Sequence, residues 1–233
     1  MFGFDNPGEL FIRVLAIVVA LSFHEYSHAR IAFAFGDQTA RLSGRLTLNP
    51  LRHLDPIGTL MLIFFSFGWA KPVPVNPYNL RIKNKHVGML WVSLAGPMMN
   101  FLMATISALL LSLLYGILAP YFPAWGDAPM NFIINFFYFL FIFAIINIVL
   151  AVFNLLPIPP LDGSKILAGL LPHSWANKFY EYERYGSIIM ILLLVTHTLS
   201  ALISPVIGLF QDIMFKLPGL NELAYLFYML GYL

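Results

Sequence analysis

The sequence contains no cysteine, which excludes disulfides and thiolate ligands and leaves any bound metal to histidine, carboxylate or carbonyl donors. Charge is scarce as well. Only 10% of the 233 residues are Asp, Glu, Lys or Arg, against about 25% in soluble domains. The net charge of +2 is small and dispersed, so nothing points to a nucleic-acid partner. What is present in quantity is apolar: 60% hydrophobic residues and a mean hydropathy of +0.80. This is the composition of an integral membrane protein, and the length suits a single polytopic domain over residues 1–233.

Four segments exceed the ~20 residues a helix needs to cross a bilayer: roughly 10–33, 87–118, 131–156 and 186–209. The first is too long for a signal-peptide core and is preceded by Asp5 and Glu9 rather than by basic residues, so it is expected to be retained. A fifth apolar stretch, 57–69, is too short to span. Between the first span and this stretch, Leu42, Leu46 and Leu48 alternate with Ser43, Arg45 and Thr47, and Ser43-Gly44 supplies a turn signal. That pattern predicts a small β-hairpin over 39–48. Pro72, Pro74 and Pro77 then forbid a helix and favour an extended edge. The expected fold is therefore an all-α polytopic membrane protein of about four long helices, with a short re-entrant or membrane-embedded segment and a small cytoplasmic hairpin.

Charge asymmetry predicts the orientation. Residues 36–86 carry Arg41, Arg45, Arg52, Lys71, Arg81, Lys83 and Lys85 against Asp37 and Asp55, whereas 119–130 carry only Asp127. The positive-inside rule puts 36–86 in the cytoplasm and the N-terminus outside. This requires 57–69 to enter and leave by one side, which is tolerated only where protein or a wet cavity covers the backbone.

Inside the first span lies His24-Glu25-Tyr26-Ser27-His28, an HExxH pattern. On a helix the two histidines project about 40° apart and can reach one tetrahedral metal ion, with Glu25 close enough to take a proton from a water activated by the metal. Ionisable groups in a span cost about 2.5–3.5 kcal/mol each, so this cluster needs a compensating partner. A metal supplies one; a hydrogen-bonded structural cluster is the alternative. At the same expected depth lie Gly96-Pro-Met-Met-Asn100 and the proline-broken segment Asn154-Leu-Leu-Pro-Ile-Pro-Pro-Leu-Asp-Gly163. Unwinding there would free Asp162 to face a site, although it could instead cap a helix beginning near Gly163. Asn100 is either packing glue beside Gly96 or a cavity-lining residue.

These motifs, spread over 24–163 in this order, resemble the site-2 proteases, zinc metalloproteases that cut within membranes. HEYSH resembles that family's HExxH, Asn154–Gly163 its NxxPxPxLDG, and Gly96–Asn100 its intervening glycine-bearing element. The resemblance implies one Zn2+ per chain held by His24, His28 and Asp162, with Glu25 as general base and Asn154 and Asn100 orienting or polarising the substrate. No PDZ-sized insertion separates the second and third spans, so the chain looks like a minimal form of the family. The resemblance also implies a single-pass membrane substrate, such as an anti-sigma factor, a tethered transcription factor or a remnant signal peptide. The alternatives are a zinc transporter, which would need polar groups continuing to the far side of the membrane, and a catalytically inactive protein that binds membrane partners. His197, near the middle of the last span, is read as an intramolecular hydrogen-bonding residue, and His53, His86 and His173 as structural or solvated.

Overall fold

The computed structural model describes residues 7–65, 68–196 and 198–232. The chain forms helices α1 (Pro7–Ala34), α2 (Thr39–Leu42), α3 (Pro56–Phe65), α4 (Lys85–Leu118), α5 (Asp127–Asn154), α6 (Asp162–Leu170), α7 (His173–Val195), α8 (Thr198–Phe215) and α9 (Leu220–Met229). Four of these elements are long and apolar enough to cross a membrane: Pro7–Ala34, Lys85–Ala124, Asp127–Asn154 and Thr198–Phe215. At 1.5 Å per residue the 28 residues of α1 reach about 42 Å.

The long helices alternate in direction. At one end of the bundle Arg13 donates from Nε to the Tyr138 hydroxyl and from Nη2 to the Tyr232 carbonyl, both at 2.8 Å, and Ser112 Oγ donates to the Pro218 carbonyl at 2.7 Å. These bonds gather the start of α1, the first half of α5, the last third of α4 and the segments flanking α9. At the other end the Arg81 amide donates to the Phe35 carbonyl at 2.6 Å, and Leu199 packs with Leu161 just beyond α5. An aromatic core of Phe137, Tyr138, Phe141 and Phe227 with Leu111, Leu220 and Leu223 fills the first end. Small residues on α1, Ala16 and Ala20, admit Phe143 of α5. α4 is central and packs on α1, α5 and α6.

The sequence predicts one span over 186–209, but the structure divides that stretch. α7 ends at Val195 and α8 begins at Thr198, so the fourth long apolar helix is Thr198–Phe215. Met190 of α7 packs with Leu161 and Leu199, which holds α7 against the proline-broken loop after α5 while α8 runs the length of the bundle. His197 lies outside the described residues.

The predicted hairpin is overturned. Residues 39–42 form a single helical turn, Ser43-Gly44 is a turn, and the described residues contain no β-strand, only an isolated antiparallel bridge between Leu54 and Ala70. Two local effects outweigh the alternation. Asp37 Oδ1 accepts from the Thr39 amide at 3.0 Å and from its hydroxyl, which starts a helical turn where a strand was expected. The alternation also points the wrong way: Arg45 is buried at 7% exposure while Leu42 is 82% exposed, because Arg45 Nη2 donates to the Lys71 and Pro72 carbonyls.

α3 has only 10 residues, and the ends of its segment meet. The Leu54–Ala70 bridge and a 2.8 Å bond from the Lys71 amide to the His53 carbonyl return the chain to where it began. The segment therefore turns back instead of traversing the bundle. Residues 71–76 follow as an extended strap without sheet partners. At its far end the Asn76 amide and Asn79 Nδ2 donate to the two carboxylate oxygens of Asp37, at 2.8 and 3.0 Å.

Candidate metalloprotease centre

α1, α4 and α6 bring the sequence-predicted residues together. His24 and His28 lie one turn apart on the buried face of α1. Asp162 is the first residue of α6, and it makes no helix-capping hydrogen bond there. Its carboxylate turns instead to the histidines: Asp162 Oδ2 is 3.1 Å from Nε2 of both, and the two Nε2 atoms are 3.0 Å apart. Gly163 makes the sharp entry into α6 possible, since a Cβ at that position would sit 2.3 Å from the Leu155 and Leu156 carbonyl oxygens.

Hydrogen bonds behind the rings assign their tautomers. His28 Nδ1 lies 2.7 Å from the Val92 carbonyl, which can only accept, so Nδ1 carries the proton. For His24 the assignment runs through two amides. Asn147 Nδ2 donates to the Phe143 carbonyl at 2.8 Å, so Asn147 Oδ1 faces Asn100 Nδ2 at 2.7 Å. Asn100 Oδ1 is then left to accept from His24 Nδ1 at 2.6 Å. Both Nε2 atoms therefore present lone pairs.

The result is a triangle of three acceptors with sides of 3.0–3.1 Å and no donor of its own. A proton can bridge only two of the three atoms. A cation satisfies all of them, and tetrahedral zinc with Zn–N near 2.05 Å separates its ligands by about 3.3 Å. These residues fit a zinc ion. Among the described residues this is the one group of three or more His, Asp or Glu side chains placed to hold a metal.

α4 makes room for the rings. A Cβ on Gly96 would lie 2.5 Å from His24 Cε1, His28 Cε1 and His28 Nε2. Val92, Gly96 and Asn100 are spaced by four residues, so one face of α4 supplies an acceptor for each ring and the gap between them.

In front of the triangle a cavity of about 320 Å³ is lined by Glu25, Val73, Asn154, Pro160, Asp162 and Lys165, among others. Glu25 Oε2 accepts the Val73 amide at 2.8 Å, so the strap crosses the site and fixes the carboxylate. Asn154 lines the same cavity, its Nδ2 bonded to the Leu150 carbonyl at 2.9 Å. Asn100 is fully buried between helices and bonded to His24.

The family model described as Peptidase family M50 matches residues 12–197. The chain belongs to peptidase family M50, the site-2 proteases. Similar proteins include "Putative zinc metalloprotease YwhC" of Bacillus subtilis (strain 168), 40% identical over 205 residues that make up 88% of this chain and 89% of that protein. "Putative zinc metalloprotease Rip2" of Mycolicibacterium smegmatis (strain ATCC 700084 / mc(2)155) is 32% identical over 200 residues, 82% of this chain and 70% of that protein. No solved structure matches the chain. The chain is thus a metalloprotease of the M50 family, with apolar helices consistent with a multi-pass membrane protein.

Three features of this M50 peptidase escape the sequence motifs. Asn147 gave one signal, an amide in the very apolar α5, seven residues and hence two turns before Asn154 on the same face. The Val73 amide gave none, since any residue but proline supplies one. Arg45, a polar position of the expected hairpin, is instead a buried clamp on the strap. The other histidines divide: His53 is buried with Nε2 2.7 Å from the Thr47 carbonyl, His86 lies in the first turn of α4, and the side chain of His173 lies outside the described part.

Proposed function

We propose that the chain hydrolyses a peptide bond within or near the transmembrane segment of a single-pass membrane protein, with one zinc ion per chain held by His24, His28 and Asp162. The carrying observation is the closed triangle of lone pairs beside the Glu25 carboxylate, which the Val73 amide holds, in a cavity large enough for an extended backbone. Bound zinc supplies Lewis acidity, which polarises a carbonyl and lowers the pKa of a water. The chain's own groups do the rest. Glu25 Oε2 takes the proton of the attacking water and delivers it to the leaving nitrogen, and the Val73 amide keeps that oxygen aimed at the site. Asn154, across the cavity, orients the substrate carbonyl.

The extended strap presents backbone to the cavity. Pro72 and Pro74 have no N–H and the Val73 amide is taken by Glu25, so Val75 supplies the remaining donor between 72 and 75 for an unwound substrate laid along the strap as an added strand. The N-terminus faces outside and the site opens towards the cytoplasm, as the cation-rich 36–86 stretch favours. Substrates of this chemistry include anti-sigma factors, tethered transcription factors and remnant signal peptides. Transport of zinc has little support, because the Ala16–Ala20 face of α1 is sealed by Phe143.

The test is cleavage of a model transmembrane peptide by purified protein, compared with Glu25→Gln. Activity lost while zinc stays bound supports the peptidase. Cleavage at the wild-type rate by Glu25→Gln, or zinc flux that survives it without any cleavage, sinks it.

A further inference from the structure

Behind the histidines a buried relay links three helices. His24 Nδ1 donates to Asn100 Oδ1 (2.6 Å), Asn100 Nδ2 to Asn147 Oδ1 (2.7 Å), and Asn147 Nδ2 to the Phe143 carbonyl (2.8 Å). Asn100 and Asn147 are both 0% exposed, so water does not compete. An isolated Asn amide can turn over and offer either its oxygen or its nitrogen to a neighbour. Here the relay ends on a backbone carbonyl, an acceptor that cannot reverse, so every donor along it has one direction.

We infer that Asn147 is a positioning residue for the metal centre. It orients the Asn100 amide so that His24 is held with its proton on Nδ1 and its lone pair on Nε2, which makes α5 a determinant of zinc affinity although Asn147 reaches neither the zinc triangle nor the cavity. Without Asn147 Oδ1 the Asn100 amide is free to turn its NH2 towards His24. The imidazole then accepts at Nδ1 and carries its proton on Nε2, which removes that nitrogen from the ligand set. This rests on the proposal that His24 is a zinc ligand, and the contribution expected of such an outer partner is about 10- to 100-fold in metal affinity.

The experiment is a double-mutant cycle read as zinc affinity by chelator competition, with no peptidase assay involved. Asn147→Leu is expected to weaken zinc binding about 10- to 100-fold in the wild-type background. In the Asn100→Asp background it should cost little, because both carboxylate oxygens accept from His24 whichever way the group faces. A packing role alone predicts the same loss in both backgrounds, and that result overturns the inference, as does unchanged affinity in the single variant. Nitrogen-15 NMR of His24 in the metal-free wild-type protein adds a test that needs no variant. A protonated Nδ1 supports the relay whatever Nε2 carries beside Asp162, and an Nδ1 without a proton refutes it even if Asn147→Leu fails to fold. His24→Ala that binds zinc normally would instead refute the ligand assignment, which keeps the two failures apart.

Discussion

Gly96→Ala adds one methyl group where α4 meets both imidazoles. The new Cβ would lie 2.5 Å from three ring atoms, whereas ordinary contact begins at 3.4 Å, so about 1 Å of clearance must be found. α4 cannot retreat to supply it without carrying away Val92 and Asn100, whose oxygens hold His28 and His24 at 2.7 and 2.6 Å. A 1 Å displacement would stretch those bonds to about 3.6 Å, beyond a hydrogen bond. The rings cannot swing away either, since a functional constellation tolerates only about 0.5 Å. Overpacking of this kind costs about 1–3 kcal/mol of stability. Because two of three ligands lose their backing, zinc affinity should fall by about 100-fold or more. The control is Gly116→Ala on the same helix, where nothing lies within 4 Å of the added Cβ and up to ~1 kcal/mol of stabilisation is expected from helix propensity. Chelator competition and thermal unfolding in detergent measure both quantities. Gly96→Ala that binds zinc as tightly as the wild type would show that the close approach of α4 does not set the site.

Three further outcomes are expected. Burial alone would raise the pKa of Asp37, but hydrogen bonds from Thr39, Asn76 and Asn79 outweigh it and hold the carboxyl below its ordinary value. The folded chain then binds fewer protons than the unfolded one around pH 4, so the stability Asp37 contributes is complete above about pH 3.9 and is lost as pH falls through the folded value. Asp37→Asn should flatten the acid limb of stability against pH, and an unchanged acid limb would count against the anchor. Arg45→Ala removes the bonds to the Lys71 and Pro72 carbonyls and should cost about 2–3 kcal/mol, read as a lower midpoint of thermal unfolding in detergent. Val73→Pro keeps the extended backbone but deletes the N–H on Glu25; kcat/KM should drop about 10- to 100-fold with zinc binding intact, and unaltered kinetics would make that contact incidental.

The pairing of His24 with His28 was legible because its spacing is local. Two histidines four apart on a helix share a face wherever that helix is placed, and an apolar run of sufficient length spans a bilayer whatever its neighbours. Asp162 was legible for a similar reason, since Pro157, Pro159 and Pro160 end α5 and leave the carboxylate at the same end of the bundle as HEYSH. Local pattern failed at residues 39–48, where alternation resembled a strand but the hydrogen bonds from Thr39 to Asp37 and the burial of Arg45 decided otherwise. It failed again at 186–209, where hydropathy is continuous across a break that only the packing of α7 on the loop after α5 explains.

The sequence by itself determined the solvent, the donor types and the helix that carries the histidines, all properties of composition and periodicity. Only the tertiary structure decided which lone pairs converge. A tautomer depends on the acceptor behind the ring, and those acceptors, Val92 on α4 and the Asn100–Asn147 pair across α4 and α5, become neighbours of His28 and His24 only once Gly96 lets the helices close.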